Sequence, residues 1–144
     1  MMKYLCCLAT TLFLLSCKEK AATPNLNAAF NQDFKLRYAQ SAGLPDQDKP
    51  ELTVTVDDVQ DNRCPPCSLP GMAKTVLSVR DQQGSNQTTT LCLGCGTALN
   101  DSVVVLANSR RYVLTLRQIT PVPVSASDAS MKKEDKQVTL FVKR

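Results

Sequence analysis

From residue 33 onward apolar and polar residues alternate with a period of two, as they do in strands that bury one face and wet the other. Phe34, Leu36 and Tyr38 alternate with Lys35 and Arg37, and Leu52, Val54 and Val56 alternate with Thr53, Thr55 and Asp57. Further short runs in which Thr and Val are prominent occupy 75–80, 87–93, 102–106, 111–119 and 137–143. Turn-forming residues separate them: Gly43-Leu44-Pro45-Asp46 with Lys49-Pro50, then Gln82-Gln83-Gly84-Ser85-Asn86, then 94–101, then Ala107-Asn108-Ser109-Arg110. About seven short strands at this spacing predict an all-β fold, a small antiparallel β-sandwich or barrel. Helical periodicity is missing from this part of the chain, and 124–135 reads as a long surface loop with room for one helical turn at 127–133.

The N-terminal segment follows a different pattern. Met1-Met2-Lys3 is a short positive start, and 4–15 is an apolar run too short to span a bilayer but right for the core of an export signal. It ends in Leu14-Leu15-Ser16-Cys17, which resembles the lipobox of bacterial lipoproteins, rather than a plain secretory signal cut elsewhere or a buried apolar helix. The expectation is a lipoprotein signal peptide over 1–16, a lipidated Cys17, a flexible tether over 17–32 and a β-domain over 33–144. The acyl chains on such a cysteine supply enough buried methylene for stable anchoring without a transmembrane helix. By resemblance to the sorting of that class, Lys18 in place of Asp argues against retention in an inner membrane, and the expected location is the cell envelope, on the outer membrane.

Composition narrows the function classes. The 144 residues suit one domain, and 43% hydrophobic content with 5% aromatic residues and no Trp predicts a core of aliphatic side chains. The net charge of +4 comes with no Lys/Arg run longer than two, so a nucleic-acid partner is not expected. No His is present, which removes the commonest general base, the Ser/His and Cys/His nucleophile pairs and every His-containing metal site. The expectation is a protein that is not an enzyme and uses no cofactor.

Seven cysteines carry the remaining chemistry. Cys6 and Cys7 fall in the discarded segment and Cys17 takes lipid, leaving Cys64, Cys67, Cys92 and Cys95 in an exported, oxidising setting. As disulfides they brace loops, and four cysteines allow three pairings. As thiolates, Cys64-Pro-Pro-Cys67 and Cys92-Leu-Gly-Cys95-Gly96 have the spacing of two zinc knuckles, provided the thiols stay reduced until metal arrives. As a redox pair, Cys64 and Cys67 lack a helix start, because Pro66 precedes Cys67 and Ser68-Leu69-Pro70-Gly71 follows it. Nearby, Asp57, Asp58 and Asp61 are of a type that binds a hard cation, though acidic residues at a strand end more often face solvent or cap a turn. Arg63 is expected to reach a nearby carboxylate or loop carbonyl, and Arg110-Arg111 to sit at a hairpin tip.

The order of these features resembles a family of small lipoproteins of Bacteroidetes-type bacteria. The likeness rests on Asp61-Asn62-Arg63-Cys64-Pro65, a nearby Cys67, Gly71-Met72-Ala73-Lys74 running into Val76, Leu77 and Val79, and Thr120-Pro121-Val122-Pro123, and it spans about 33–144. This chain has fewer residues between its first two cysteines than that family, lacks a Trp after the second, and adds Cys92 and Cys95. The resemblance implies the β fold, the envelope location and local pairing of Cys64 with Cys67, extended by analogy to Cys92 with Cys95. It implies no activity. Together these readings predict a lipid-anchored β-domain acting as a binding or structural module, with the membrane as one partner and an unknown protein or small molecule as another. The alternatives are a thiol-active or metal-binding protein using Cys64, Cys67, Cys92 and Cys95, and a protease inhibitor, the latter by fold analogy alone.

Overall fold

The computed structural model describes residues 26–64, 71–97, 99–125, 128 and 131–144. Two sheets face each other. The first contains β1 (Leu26–Asn27), β3 (Ser41–Leu44), β4 (Leu52–Asp61), β5 (Ala73–Asp81) and β6 (Asn86–Leu93), in that spatial order. The second contains β2 (Asp33–Arg37), β9 (Gln137–Lys143), β8 (Arg110–Thr120) and β7 (Ser102–Ala107). Only β1 with β3 is parallel; every other pair is antiparallel. The sheets do not close on each other, so the fold is a sandwich and not a barrel.

The period-two pattern explains the core. Leu52, Val54 and Val56 of β4, Leu77 and Val79 of β5, Tyr112, Leu114 and Leu116 of β8, and Val138, Leu140 and Val142 of β9 are all buried between the sheets. The hairpin joining β7 to β8 turns on Asn108 and Ser109, both at positive φ, as a two-residue turn between twisted strands requires. Arg110 and Arg111 follow it at the tip.

Two strands were not legible in the alternation. β3 lies in what reads as turn chemistry, and all four of its residues are buried. A Cβ on Gly43 would sit 2.8 Å from the Gln47 backbone, so the 45–50 turn lies over this strand and hides the face that would otherwise be wet and polar. β1 corrects the domain boundary, because residues 26–32, expected in the tether, belong to the sandwich. Ala28 N–H donates to the Gly43 carbonyl at 3.0 Å, Asn31 N–H to the Val142 carbonyl at 2.8 Å, and the Phe30 ring stacks on Tyr112 with centroids 5.8 Å apart. The expected tether residues 17–25 lie outside the described residues, as do 126, 127, 129 and 130 of the expected 124–135 loop. Within that loop a short 3-10 turn covers Lys133–Asp135.

Candidate functional site: the cysteine end of the sandwich

Strand register gathers the cysteine loops at one end. Asp61 pairs with Ala73 and Ala73 with Leu93, so the chain after β4, before β5 and after β6 leaves the sheet from the same rung. Cys64, Met72, Cys92 and Cys95 are therefore neighbours by topology. On the other sheet, the antiparallel meander brings the end of β8 and the start of β9 to this end as well.

A β-bulge places the charges. Val56 pairs with Leu77 but Asp58 with Val76, so Asp57 is the extra residue and β4 absorbs it. Counting simple alternation from Leu52, Val54 and Val56 would turn Asp61 outward; the absorbed residue turns Val59 and Asp61 inward instead. β8 does the same, with Arg117 as the extra residue between Leu116 and Gln118, and so points Ile119 into the core.

Asp61 is 8% exposed and Lys136 2% exposed, so both charges are out of water. The carboxylate takes two bonds from the Arg63 guanidinium, Nε to Oδ1 at 2.8 Å and Nη2 to Oδ2 at 2.7 Å, and one from Lys136 Nζ to Oδ2 at 3.0 Å. The cations have further acceptors: Arg63 Nη2 donates to the Ile119 carbonyl at 2.6 Å, and Lys136 Nζ to the Pro121 carbonyl at 2.9 Å. The Arg63 backbone N–H also donates to Asp61 Oδ1, at 3.2 Å. Burial pushes the Asp61 carboxyl up, but the bonds from Arg63 and Lys136 outweigh it and hold the carboxyl below its ordinary value of 3.8. The cluster ties the first sheet, the Cys64 loop, the segment after β8 and the start of β9 into one end-cap.

The second loop is closed by a disulfide between Cys92 and Cys95, whose Cα atoms are 5.8 Å apart. Gly94, at positive φ, makes the reversal inside this ring, and a Cβ there would approach the Gly71 carbonyl to 3.3 Å. Cys92 N–H donates to the Asn100 carbonyl at 3.0 Å, which brings Asn100 back beside the end of β6. Cys95 Sγ rests 3.5 Å from Met72 Sδ. A shallow depression of about 250 Å³ beside this ring is lined by Leu93, Gly96, Asn100 and Asp101 together with the two cysteines. Cys64 is in disulfide form and lies at the margin of the core, with its partner outside the described residues. Cys67 and Cys17 also lie outside them.

The predicted residues divide clearly. Cys64, Cys92 and Cys95 share one end of the molecule, and Arg63 reaches a carboxylate as expected, with its second acceptor the Ile119 carbonyl inside β8 and not a loop carbonyl. A thiolate tetrad would need four reduced sulfurs, and in this state those of Cys92 and Cys95 are bonded to each other. The three aspartates do not converge: Asp57 accepts from Ser78 and Asp58 from Gln60 and Lys133 on the outer face, while Asp61 faces inward. Among the described residues no three His, Cys, Asp or Glu side chains are placed to hold a metal ion. Lys136 is the site residue that sequence reasoning missed, since nothing in Lys132-Lys133-Glu134-Asp135-Lys136 distinguishes the one lysine that turns inward. Compared with protein families, curated proteins and solved structures, the chain matches none.

Proposed function

We propose that this is a lipid-anchored module of the cell envelope, held to a membrane through Cys17, that presents the braced loops of its cysteine end to a protein or small-molecule partner and catalyses no reaction. The observation that carries the reading is the Cys92 to Cys95 disulfide, since such bonds persist in exported proteins and are rare in reducing compartments. The export signal and the Leu14-Leu15-Ser16-Cys17 sequence support it independently. A rigid end-cap suits presentation of a surface: a buried ionic cluster and a covalent ring hold its described residues in place. Among the described residues no helix is long and apolar enough to cross a membrane.

The experiment is fractionation of cells expressing the natural chain and Cys17→Ser. The natural chain is expected with membranes and the variant in the soluble fraction; a variant that stays with membranes overturns the anchor. Thiol titration with metal analysis of the purified protein separates the scaffold from its alternative. Four free thiols with one bound zinc would replace the disulfide reading by the metal one.

A further inference from the structure

The sandwich has four edge strands, and they are guarded unequally. β1 is two residues long, and β2 sets Asp33, Lys35 and Arg37 at alternate positions. The far end of β6 is capped by Asn100, whose carbonyl accepts from Cys92 N–H. β7, Ser102-Val103-Val104-Val105-Leu106-Ala107, has no charge, no proline and no bulge, and it leaves Val104 48% and Leu106 63% exposed. Proteins that must stay apart at a sheet edge protect it with charge, proline, bulges or brevity, and this edge has none of these.

Its free backbone groups follow from one bond. Leu116 N–H donates to the Asp101 carbonyl at 2.7 Å, which makes Asp101 and Leu116 a hydrogen-bonded rung. Alternation then commits Val103, Val105 and Ala107 to β8 and turns the N–H and C=O of Ser102, Val104 and Leu106 away from the sheet. Gln87 Nε2, reaching across from β6, donates to the Leu106 carbonyl, consistent with that direction, and occupies one of its two lone pairs.

We propose that β7 is a dimerisation edge, pairing antiparallel with β7 of a second copy of this chain about a two-fold axis at Val104. Outward groups on the two strands must meet each other, and of the registers that allow this the one that pairs all three outward residues is favoured: Val104 faces its own counterpart, and Ser102 faces Leu106. The charges at the strand ends select the antiparallel direction. Asp101 precedes β7 and Arg110-Arg111 follow it across the hairpin, and neither Asp101 nor Arg111 makes an ion pair among the described residues. Antiparallel pairing brings the acidic end of one copy to the basic hairpin tip of the other, whereas parallel pairing would stack like on like. The four-stranded sheets of the two copies become one continuous sheet, with Val104 and Leu106 of both lying together across the join. The proposal stands apart from the anchor.

The test is sedimentation velocity of the full-length chain in non-ionic detergent, with mild oxidation of single-cysteine edge variants read on non-reducing gels. A dimer is expected for the natural chain, together with a covalent dimer from Val104→Cys and none from Leu106→Cys, because only position 104 meets itself. Leu106→Lys, an exposed change that leaves the core untouched, should sediment as a folded monomer whose melting temperature no longer rises with protein concentration as that of the natural dimer does. A monomeric natural chain, cross-linking of Leu106→Cys as readily as Val104→Cys, or a dimer that survives Leu106→Lys would each overturn it.

Discussion

Removing the Asp61 carboxylate is the sharpest test of the end-cap. In Asp61→Ala the Lys136 ammonium, 2% exposed, keeps only the Pro121 carbonyl, and the Arg63 guanidinium loses both of its bidentate bonds. Stripping one partner from a buried ion pair costs about 3–5 kcal/mol, a large share of the roughly 5–15 kcal/mol that holds a domain together. Lys136→Met is a different perturbation, because Asp61 retains Arg63 and stays neutralised. It should cost about 1 kcal/mol, the net worth of the lost hydrogen bonds. In the Asp61→Ala background the same Lys136→Met change should stabilise, since it deletes the uncompensated charge. The assay is urea denaturation of all four proteins, where at a slope of about 2 kcal/mol per molar the single Asp61→Ala change lowers the midpoint by about 2 M. A cost below about 1 kcal/mol for Asp61→Ala, typical of surface pairs, or a Lys136→Met effect of the same sign in both backgrounds, would refute the reasoning. Linkage gives a further check. The folded carboxyl titrates below its ordinary value of 3.8, so its contribution is complete well above that pH and is lost as the pH falls through the folded value. Natural protein should therefore lose stability on acidification below about pH 5, and Asp61→Ala should lose less.

Two other changes probe the same end. Gly71→Ala would put a Cβ 1.7 Å from the Asn62 carbonyl oxygen, a backbone clash expected to cost about 3 kcal/mol and lower the melting temperature by about 10 °C; a melt like that of the natural chain would mean the loop before β5 yields freely. Cys92→Ser opens a ring so short that the loss should be about 2 kcal/mol or less by denaturation, with the change confined to 94–101 in amide exchange; a loss above about 4 kcal/mol would show the bond braces the whole fold.

The fold was legible where one face is wet. β2 and β4 show the alternation, β5, β6, β7, β8 and β9 read as short Thr- and Val-rich runs between turns, and the bounds of all seven fall within a few residues of the reading. β3 was missed because the turn beyond it covers its outer side, so a strand buried on both faces has no polar phase to display. β1 was missed because a two-residue strand cannot establish a period. At the site, Cys64, Cys92, Cys95 and Arg63 were visible as motif, since their spacing along the chain carries the signal. The inward turn of Asp61 was not, because it depends on a residue absorbed at Asp57. Its partner Lys136 lies 75 residues further along, a separation that no local pattern encodes.

The two bulges also determine where this chain can change length. Both central strands hold one residue more than their partners require, Asp57 in β4 and Arg117 in β8. Losing either residue restores a regular ladder and leaves every later side chain on the face it already occupies. A gain or loss of one residue elsewhere in β4 or β8, with no bulge to absorb it, would send the positions beyond it to the opposite face, exchanging core for solvent. Any chain descended from the same ancestor that differs from this one by a single residue in a central strand should therefore show the gap at Asp57 or at Arg117.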